Sequence, residues 1–284
     1  MILEHELPQG SKLYFDMSAK LKRDIESYAI NAFYENDYKE IVTPTFAFLE
    51  HQRDMLNREV VRLSGEGNHQ IGLRYDTTFE AMRIVTKHIR SSKHRKWFYI
   101  QPVYSYPTTE IHQIGMEHLG GESLSPTICL GVYILKGLGL EPYLQISNMR
   151  IPILCAEHMG VDVELFASQN IDKILQMDGY IADLVRVKTK EDVQNMMKKA
   201  PVFLRTELER LLECSSYCEY EKSIFSPLAF SSTSYYEDIF FRMFIGNATL
   251  LQGGKYNVGE QTSCGFAIYT DEVVEHLMKK VSLE

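Results

Sequence analysis

The chain has 284 residues, 45% of them apolar, and a formal net charge of −8, enough material for one large domain or for a domain carrying an insertion. The acidity argues against a dedicated nucleic-acid binder, whose affinity would rest on clustered Lys and Arg, and the basic run Lys87–Lys96 reads as a solvated helix end and loop. No run approaches the roughly 18 apolar residues of a membrane span. The start MILEHELPQGSK shows no basic region followed by an apolar stretch, and five scattered cysteines (Cys129, Cys155, Cys214, Cys218, Cys264) suit a reducing cytoplasm better than a disulfide framework.

Ser11–Asn36 opens the chain as a long amphipathic helix, with Met17, Leu21, Ile25, Tyr28 and Ala32 at helical spacing. Lys39–Phe48 follows as a strand interrupted at Pro44, which removes a ladder donor and calls for an edge or a kink. Gly72–Tyr75 leads into a helix from about Thr78 to Lys87, and Thr77 with Glu80 has capping-box spacing, setting Asp76 and Thr77 at the helix mouth. Two strands come next, Trp97–Tyr104 and Ile111–Leu119, joined by the polar link Ser105–Glu110. Gln113 and Glu117 stand four residues apart on the second strand, hence on one face. A carboxylate and a carboxamide on one sheet face can hold a small polar or cationic ligand. The link and returning strand contain no Arg or Lys. That composition points to sensing of a small metabolite rather than to catalysis on phosphates.

Ser125-Pro126 opens a helix carrying Ile128, Val132 and Leu135 and ending at Gly137 or Gly139. Tyr143–Ile146 is a short strand, and Ile151–Met159 a helix stopped by Gly160. From about 161 to 225 the pattern is helical and more charged, with helices starting at Thr189 and spanning Pro201–Glu219. Strands resume at Tyr235–Ile245, turn at Gly246-Asn247 and return through Ala248–Leu251. Gly253-Gly254 reads as a turn, Ser263–Tyr269 as a last strand and Asp271–Lys280 as a closing helix. Hairpins with helices between them indicate an antiparallel α+β fold.

The order of these pieces resembles the catalytic core of class II aminoacyl-tRNA synthetases, histidyl-tRNA synthetase in particular. Ile41-Val42-Thr43-Pro44 sits where that family has its dimer-interface motif, Leu73–Thr78 resembles the loop holding the substrate amino group, and His112–Glu117 the strand holding the histidine side chain. Ser234-Tyr235-Tyr236 and Gly253–Asn257 fall where that family has its histidine-recognition and Gly-Gly-Arg-Tyr-Asp segments. The resemblance implies an α+β class II synthetase-like sheet flanked by helices, with residues 1–160 and 226–284 as core, 161–225 as a helical insertion, and no anticodon-binding domain. It also implies a homodimer through the Pro44 segment and the adjoining helix.

The departures bear on function. Where the family places arginines for ATP, this chain has Ser105 and, at or near the third motif, Glu272; Ser231 stands where an arginine precedes the paired tyrosines. A carboxylate at ~4 Å from a phosphate, at an effective dielectric near 20, opposes binding by about 4 kcal/mol. These losses make the chain similar to the regulatory subunits of short-form ATP phosphoribosyltransferase, in histidine biosynthesis. That likeness implies a non-catalytic role, an ATP phosphoribosyltransferase catalytic subunit as partner, and L-histidine as ligand. Glu117 and Tyr236 would bracket the imidazole, Asp76, Thr78 and Gln113 would hold the ammonium, and Tyr235 belongs to the same segment.

Two other functions remain open on the residues: a free-standing synthetase-like enzyme passing an amino acid to a non-tRNA acceptor, and a purely structural dimer. No nucleophile, base and orienter share a catalytic spacing, and no cofactor is assigned. No metal is assigned either: Cys214 and Cys218 lack a second ligand pair. His112 and His118 read as structural, and His158 as a cation near a helix end.

Overall fold

A computed structural model describes residues 5–51, 60–63, 70–89, 93–121, 123–168, 170–177, 179–215, 219–231, 236 and 238–281. The chain divides into two compact units, the first made of Met1–Glu117 with Ala267–Glu284, the second of His118–Phe266.

The first unit contains α1 (Asp16–Glu35), β1 (Lys39–Glu40), β2 (Phe46–Phe48), β3 (Arg62–Leu63), β4 (Ile71–Leu73), α2 (Thr77–Lys87), β5 (Lys96–Ser105) and most of β6 (Thr109–Leu119). Strands β1, β5 and β6 are neighbours in one sheet; β1 pairs with β5 in parallel, Lys39 opposite Trp97. Residues 106–108 are too short a link for anything but an antiparallel return from β5 to β6. A small sheet of order β2-β4-β3 is antiparallel throughout. The core sits where Ile25, Ala29 and Phe33 of α1 and Met82 of α2 meet Phe98 and Ile114, all at most 2% exposed, and Phe33 stacks on Phe98 at 5.0 Å.

Helix α1 begins at Asp16 rather than Ser11. Its preceding residues are held elsewhere: Glu110 N–H donates to the Gly10 carbonyl and Thr108 Oγ1 to that of Gln9. Gly10 has φ +89°, and a Cβ there would press on Thr109 at 3.0 Å, so a tertiary contact outcompetes the first helical turn. At α2 the cap is Asp76, accepting from Phe79 N–H at 3.0 Å, while Glu80 turns to Arg83 at 2.6 Å instead of closing a box with Thr77.

The second unit contains α3 (Ser125–Gly137), β7 (Tyr143–Asn148), α4 (Arg150–Met159), α5 (Glu164–Ala167), α6 (Ile171–Leu175), α7 (Tyr180–Arg186), α8 (Lys190–Lys199) and α9 (Val202–Ser215). It continues with β8 (Ser223–Phe225), β9 (Ile239–Ile245), β10 (Ala248–Val258) and most of β11 (Gln261–Tyr269); helix α10 (Thr270–Val281) belongs to the first unit. Its strand order is β11-β10-β9-β7-β8. The pairs β10–β9 and β9–β7 are antiparallel, with a bulge between Thr249 and Leu251, and only the edge pair β7–β8 is parallel among those with known register. Alternation does the sorting. Ile146, Phe241, Met243 and Leu251 are buried, and a Cβ at Gly131 of α3 would stand 2.9 Å from Leu251, so α3 lies directly on this face. Gln145, Arg242 and Gln252 occupy the alternate positions.

Two expectations are corrected here. The stretch 161–225 is not wholly helical, because Ser223–Phe225 completes the sheet edge beside Leu144–Ile146. Gly253-Gly254 is not a turn but the middle of β10. A Cβ at Gly253 would meet the Gly265 carbonyl oxygen at 2.5 Å, and one at Gly254 the Tyr236 ring at 2.7 Å, so the glycines answer close packing rather than chain reversal. The reversal is at Gly246, with φ +57°. Among the described residues no helix is long and apolar enough to cross a membrane.

The strongest local constraint is Arg74, 1% exposed. Its guanidinium donates to the carbonyls of Thr43 (3.0 Å), Pro44 (2.9 Å) and Pro102 (2.7 Å). Burial lowers its pKa, with Tyr104 and Glu80 opposing the shift. Arg74→Met should lower unfolding free energy by at least about 3 kcal/mol in urea titration, since it removes charge-assisted bonds to the Thr43, Pro44 and Pro102 carbonyls. Lys20→Met, in an exposed pair with Asp24, should leave the midpoint where it is.

Candidate functional site

The first unit assembles a polar group around β6. Gln113, Gly115 and Glu117 share one face of that strand, half-buried at Gln113 and 1% exposed at Glu117. Between them Gly115 leaves a gap that Tyr99 of β5 fills: a Cβ at Gly115 would stand 2.2 Å from the tyrosine ring and 2.3 Å from its oxygen. Tyr99 is thereby laid across the strand, and its hydroxyl lies 3.1 Å from Thr78 Oγ1. Thr78 donates to Glu117 Oε1 at 2.7 Å. One threonine proton serves one acceptor, so the Tyr99 hydroxyl is the donor to Thr78. The order Tyr99→Thr78→Glu117 orients one carboxylate oxygen and polarises the chain of donors.

Asp76 stands at the mouth of α2, two residues before Thr78, with its carboxylate held by the Phe79 N–H. Tyr269, at the end of β11, faces it: burial first, then the charges of Asp76 and Tyr75, push the Tyr269 phenol above its ordinary value. Asp76, Thr78, Gln113 and Glu117 therefore all lie in the first unit, and the structure links Thr78 directly to Glu117. Tyr236 lies in the second unit, 7% exposed and stacked on Phe240 at 12°. Tyr235 lies outside the described residues, as does Cys218.

Sequence reasoning missed Tyr99, Gly115 and Tyr269. Tyr99 is embedded in an apolar strand and reads as core. Gly115 was the available signal, because a glycine inside a strand marks close approach of another group. A buried carboxylate oriented by a hydroxyl accepts an N–H or an ammonium and has no use for a second anion.

A second polar group begins at His112, the residue before Gln113. Its N–H donates to Asp271 Oδ2 at 3.0 Å, its Nδ1 lies 3.2 Å from Asp271 Oδ1, and its Nε2 lies 3.4 Å from Glu110. Tyr14 hydrogen-bonds Asp271 as well and meets the His112 ring edge-on at 5.5 Å. Burial pushes the Asp271 carboxyl up, but the bonds from His112 and Tyr14 outweigh it and the net direction is down. Burial, then the bond to Asp271, drives the Tyr14 phenol up, so it stays a donor at neutral pH. His112 is thus committed to structure.

Ser105 closes β5 and Glu272 occupies the first turn of α10, where a carboxylate favours the helix dipole. Ser231 is 8% exposed, and its Oγ accepts from Gln252 at 3.1 Å.

These features define a class II synthetase-like core of the histidyl type. The family model for histidyl-tRNA synthetase matches residues 14–273. The chain belongs to the family of ATP phosphoribosyltransferase regulatory subunits. It is 76% identical over 279 residues to the protein of that name from Helicobacter hepaticus, covering 98% of this chain and 100% of the relative. It is 51% identical to the one from Wolinella succinogenes, over 98% of each chain. Among solved structures, an ATP phosphoribosyltransferase regulatory subunit/histidyl-tRNA synthetase from Bacillus halodurans superposes with TM-score 0.83 over 97% of this chain and 84% of that one. At 19% identity that likeness speaks for the fold. Histidyl-tRNA synthetase from Nostoc sp. PCC 7120 superposes with TM-score 0.78 at 12% identity, over 98% of this chain and 75% of that one.

Stability below neutral pH tests the His112 group. A carboxylate whose folded pKa lies below its ordinary 3.8 contributes stability that is complete above that value and is lost as pH falls through the folded one. Acid titration of unfolding free energy below about pH 4 should be steeper for the native chain than for Asp271→Asn.

Proposed function

We propose that this chain is a non-catalytic regulatory subunit that assembles with a short ATP phosphoribosyltransferase catalytic subunit and senses L-histidine. The observation that carries the reading is the near-full-length identity of 76% and 51% to two proteins so named. The oriented carboxylate of Glu117 supports the ligand class, since it suits an imidazole N–H, and Asp76 and Gln113 offer further acceptors for an ammonium. Tyr235 and Tyr236 join the proposed ligand set on the resemblance alone. Ser105 and Glu272, in place of arginines, support the absence of amino-acid activation, because an ATP phosphate gains nothing from a hydroxyl and is opposed by a carboxylate. Four free cysteines among the described residues support a cytoplasmic setting.

Affinity purification of tagged chain from its own cells is expected to recover a short ATP phosphoribosyltransferase chain in near-stoichiometric amount. Calorimetry of the purified complex is expected to show saturable histidine binding that Thr78→Val weakens by about one to two decades, the loss of a bond to a charged group. Amino-acid-dependent pyrophosphate exchange would instead establish an enzyme. Recovery of the chain alone, with flat histidine titration, would leave only the structural role.

We also propose a homodimer through the Pro44 segment. Val42, Phe46 and Phe48 are 75%, 61% and 44% exposed and edge a hollow of about 420 Å³ with His51, Ile71 and Ile84, an apolar surface that suits a second copy. Light scattering at micromolar concentration should give a dimer mass for the native chain and a shift toward monomer for Phe46→Asp.

A further inference from the structure

The second unit holds a polar row that the reading above does not use. Register places Gln145 of β7, Arg242 of β9 and Gln252 of β10 side by side, each opposite the next. On the other sheet face the same strands present Ile146, Phe241 and Leu251, all buried, so the polar row occupies the face that this packing leaves free, with Arg242 itself exposed. Gln145 is itself 5% exposed. It accepts from Arg242 Nε at 2.8 Å and donates to Ser147 Oγ at 3.2 Å, which fixes it on both sides. Gln252 donates to Ser231 Oγ at 3.1 Å. The Arg242 guanidinium lies over the Phe244 ring at 5.0 Å. With Nε committed and one π-face covered, the two Nη nitrogens donate to nothing among the described residues.

Above the row lies a cavity of about 360 Å³, lined by Gln145, Ser231, Phe240, Arg242 and Gln252 with Ala229. A smaller one of about 240 Å³ shares Gln145, Ala229 and Arg242 with it. Ser231 opens this space, since a long side chain at that buried position would fill it.

We infer that the cavity over Arg242 is a binding site for a small monocarboxylate, held bidentately by the two Nη nitrogens with its carbon skeleton against Phe240 and Ala229. The volume sits at the small end of metabolite pockets. A planar guanidinium fork matches a carboxylate edge. Among the described residues the lining carries one cation and no acid, which balances one negative charge and leaves a phosphate dianion under-compensated. Partial burial lowers the Arg242 pKa, yet the group stays charged at neutral pH. The described lining lies wholly in the second unit, whereas Thr78 and Glu117 lie in the first.

Ligand-observed NMR on the full chain tests this, with acetate, L-lactate and benzoate as probes and inorganic phosphate beside them. At least one carboxylate should show saturable binding in the millimolar range or below. Arg242→Met should weaken it at least about tenfold, the loss of a charge-assisted pair. Arg242→Lys, which keeps the charge and stem but not the fork, should weaken it as well and serves if the methionine variant fails to fold. Thr78→Val should bind the probe as the native chain does. The inference is overturned if no carboxylate saturates, if both Arg242 variants bind as the native chain does, if Thr78→Val removes the signal, or if phosphate alone binds through Arg242.

Discussion

The path from β2 to α2 in the first unit rests on Arg74. A guanidinium taken out of water costs several kcal/mol, and only charge-assisted bonds of roughly 1.5–3 kcal/mol each can offset that. The link Thr43–Pro44 supplies them because it has carbonyls to spare. Pro44 donates nothing and breaks the ladder, which leaves the carbonyls of Thr43 and Pro44 open to the guanidinium. Gln101 completes the arrangement from β5, accepting from Thr43 N–H at 3.1 Å and donating to its carbonyl at 2.9 Å. The consequence runs along the chain. Arg74 N–H donates to the Thr45 carbonyl and its carbonyl accepts from Tyr104, which ends β4 at a fixed point. Asp76 then caps α2 two residues later, and Thr78, in the first turn, arrives beside Glu117. A buried cation far from any ligand therefore sets the position of the hydroxyl that orients the site's carboxylate.

The second unit reaches order by a different device, the absence of side-chain bulk. Gly131 lets α3 settle on Leu251, Gly253 lets β10 close on Gly265 and Phe266, and Gly254 makes room for Tyr236. Ser231 continues that theme, accepting from Gln252 beside a polar hollow. One sheet face is thus spent on packing, and the other is left to Gln145, which holds Arg242, and to Gln252, which holds Ser231.

Legibility in the sequence followed the same division. Long periodic segments such as α3, α4 and the pair β5–β6 were readable because their hydrophobic period and their breakers, Pro126 and Gly160, agree. The start of α1 was not, because residues 9–14 are claimed by Thr108, Glu110 and Asp271, contacts more than ninety residues away in sequence. Strand β8 was hidden for a similar reason: three residues at a sheet edge carry too little pattern to stand out from the helices before them. Within the candidate site, Thr78 and Glu117 were legible through the resemblance. Tyr99 was not, since its role depends on a glycine across the strand rather than on its own neighbours.

The start of α10 shows what carboxylates contribute where the resemblance expects an arginine. Near the start of α10 stand Asp271 and Glu272, favourable with the helix dipole, and Asp271 takes three hydrogen bonds from His112 and Tyr14. An arginine in that turn would oppose the dipole and is sustained only by an anion to hold. Without the anion, carboxylates stabilise the helix directly, and the N-terminal segment is tied down through Tyr14 in the process. The Tyr99–Thr78–Glu117 group needs none of those arginines, because its donors come from β5 and α2. Orientation of the buried Glu117 carboxylate and the charge at the start of α10 are therefore set by separate elements of the first unit.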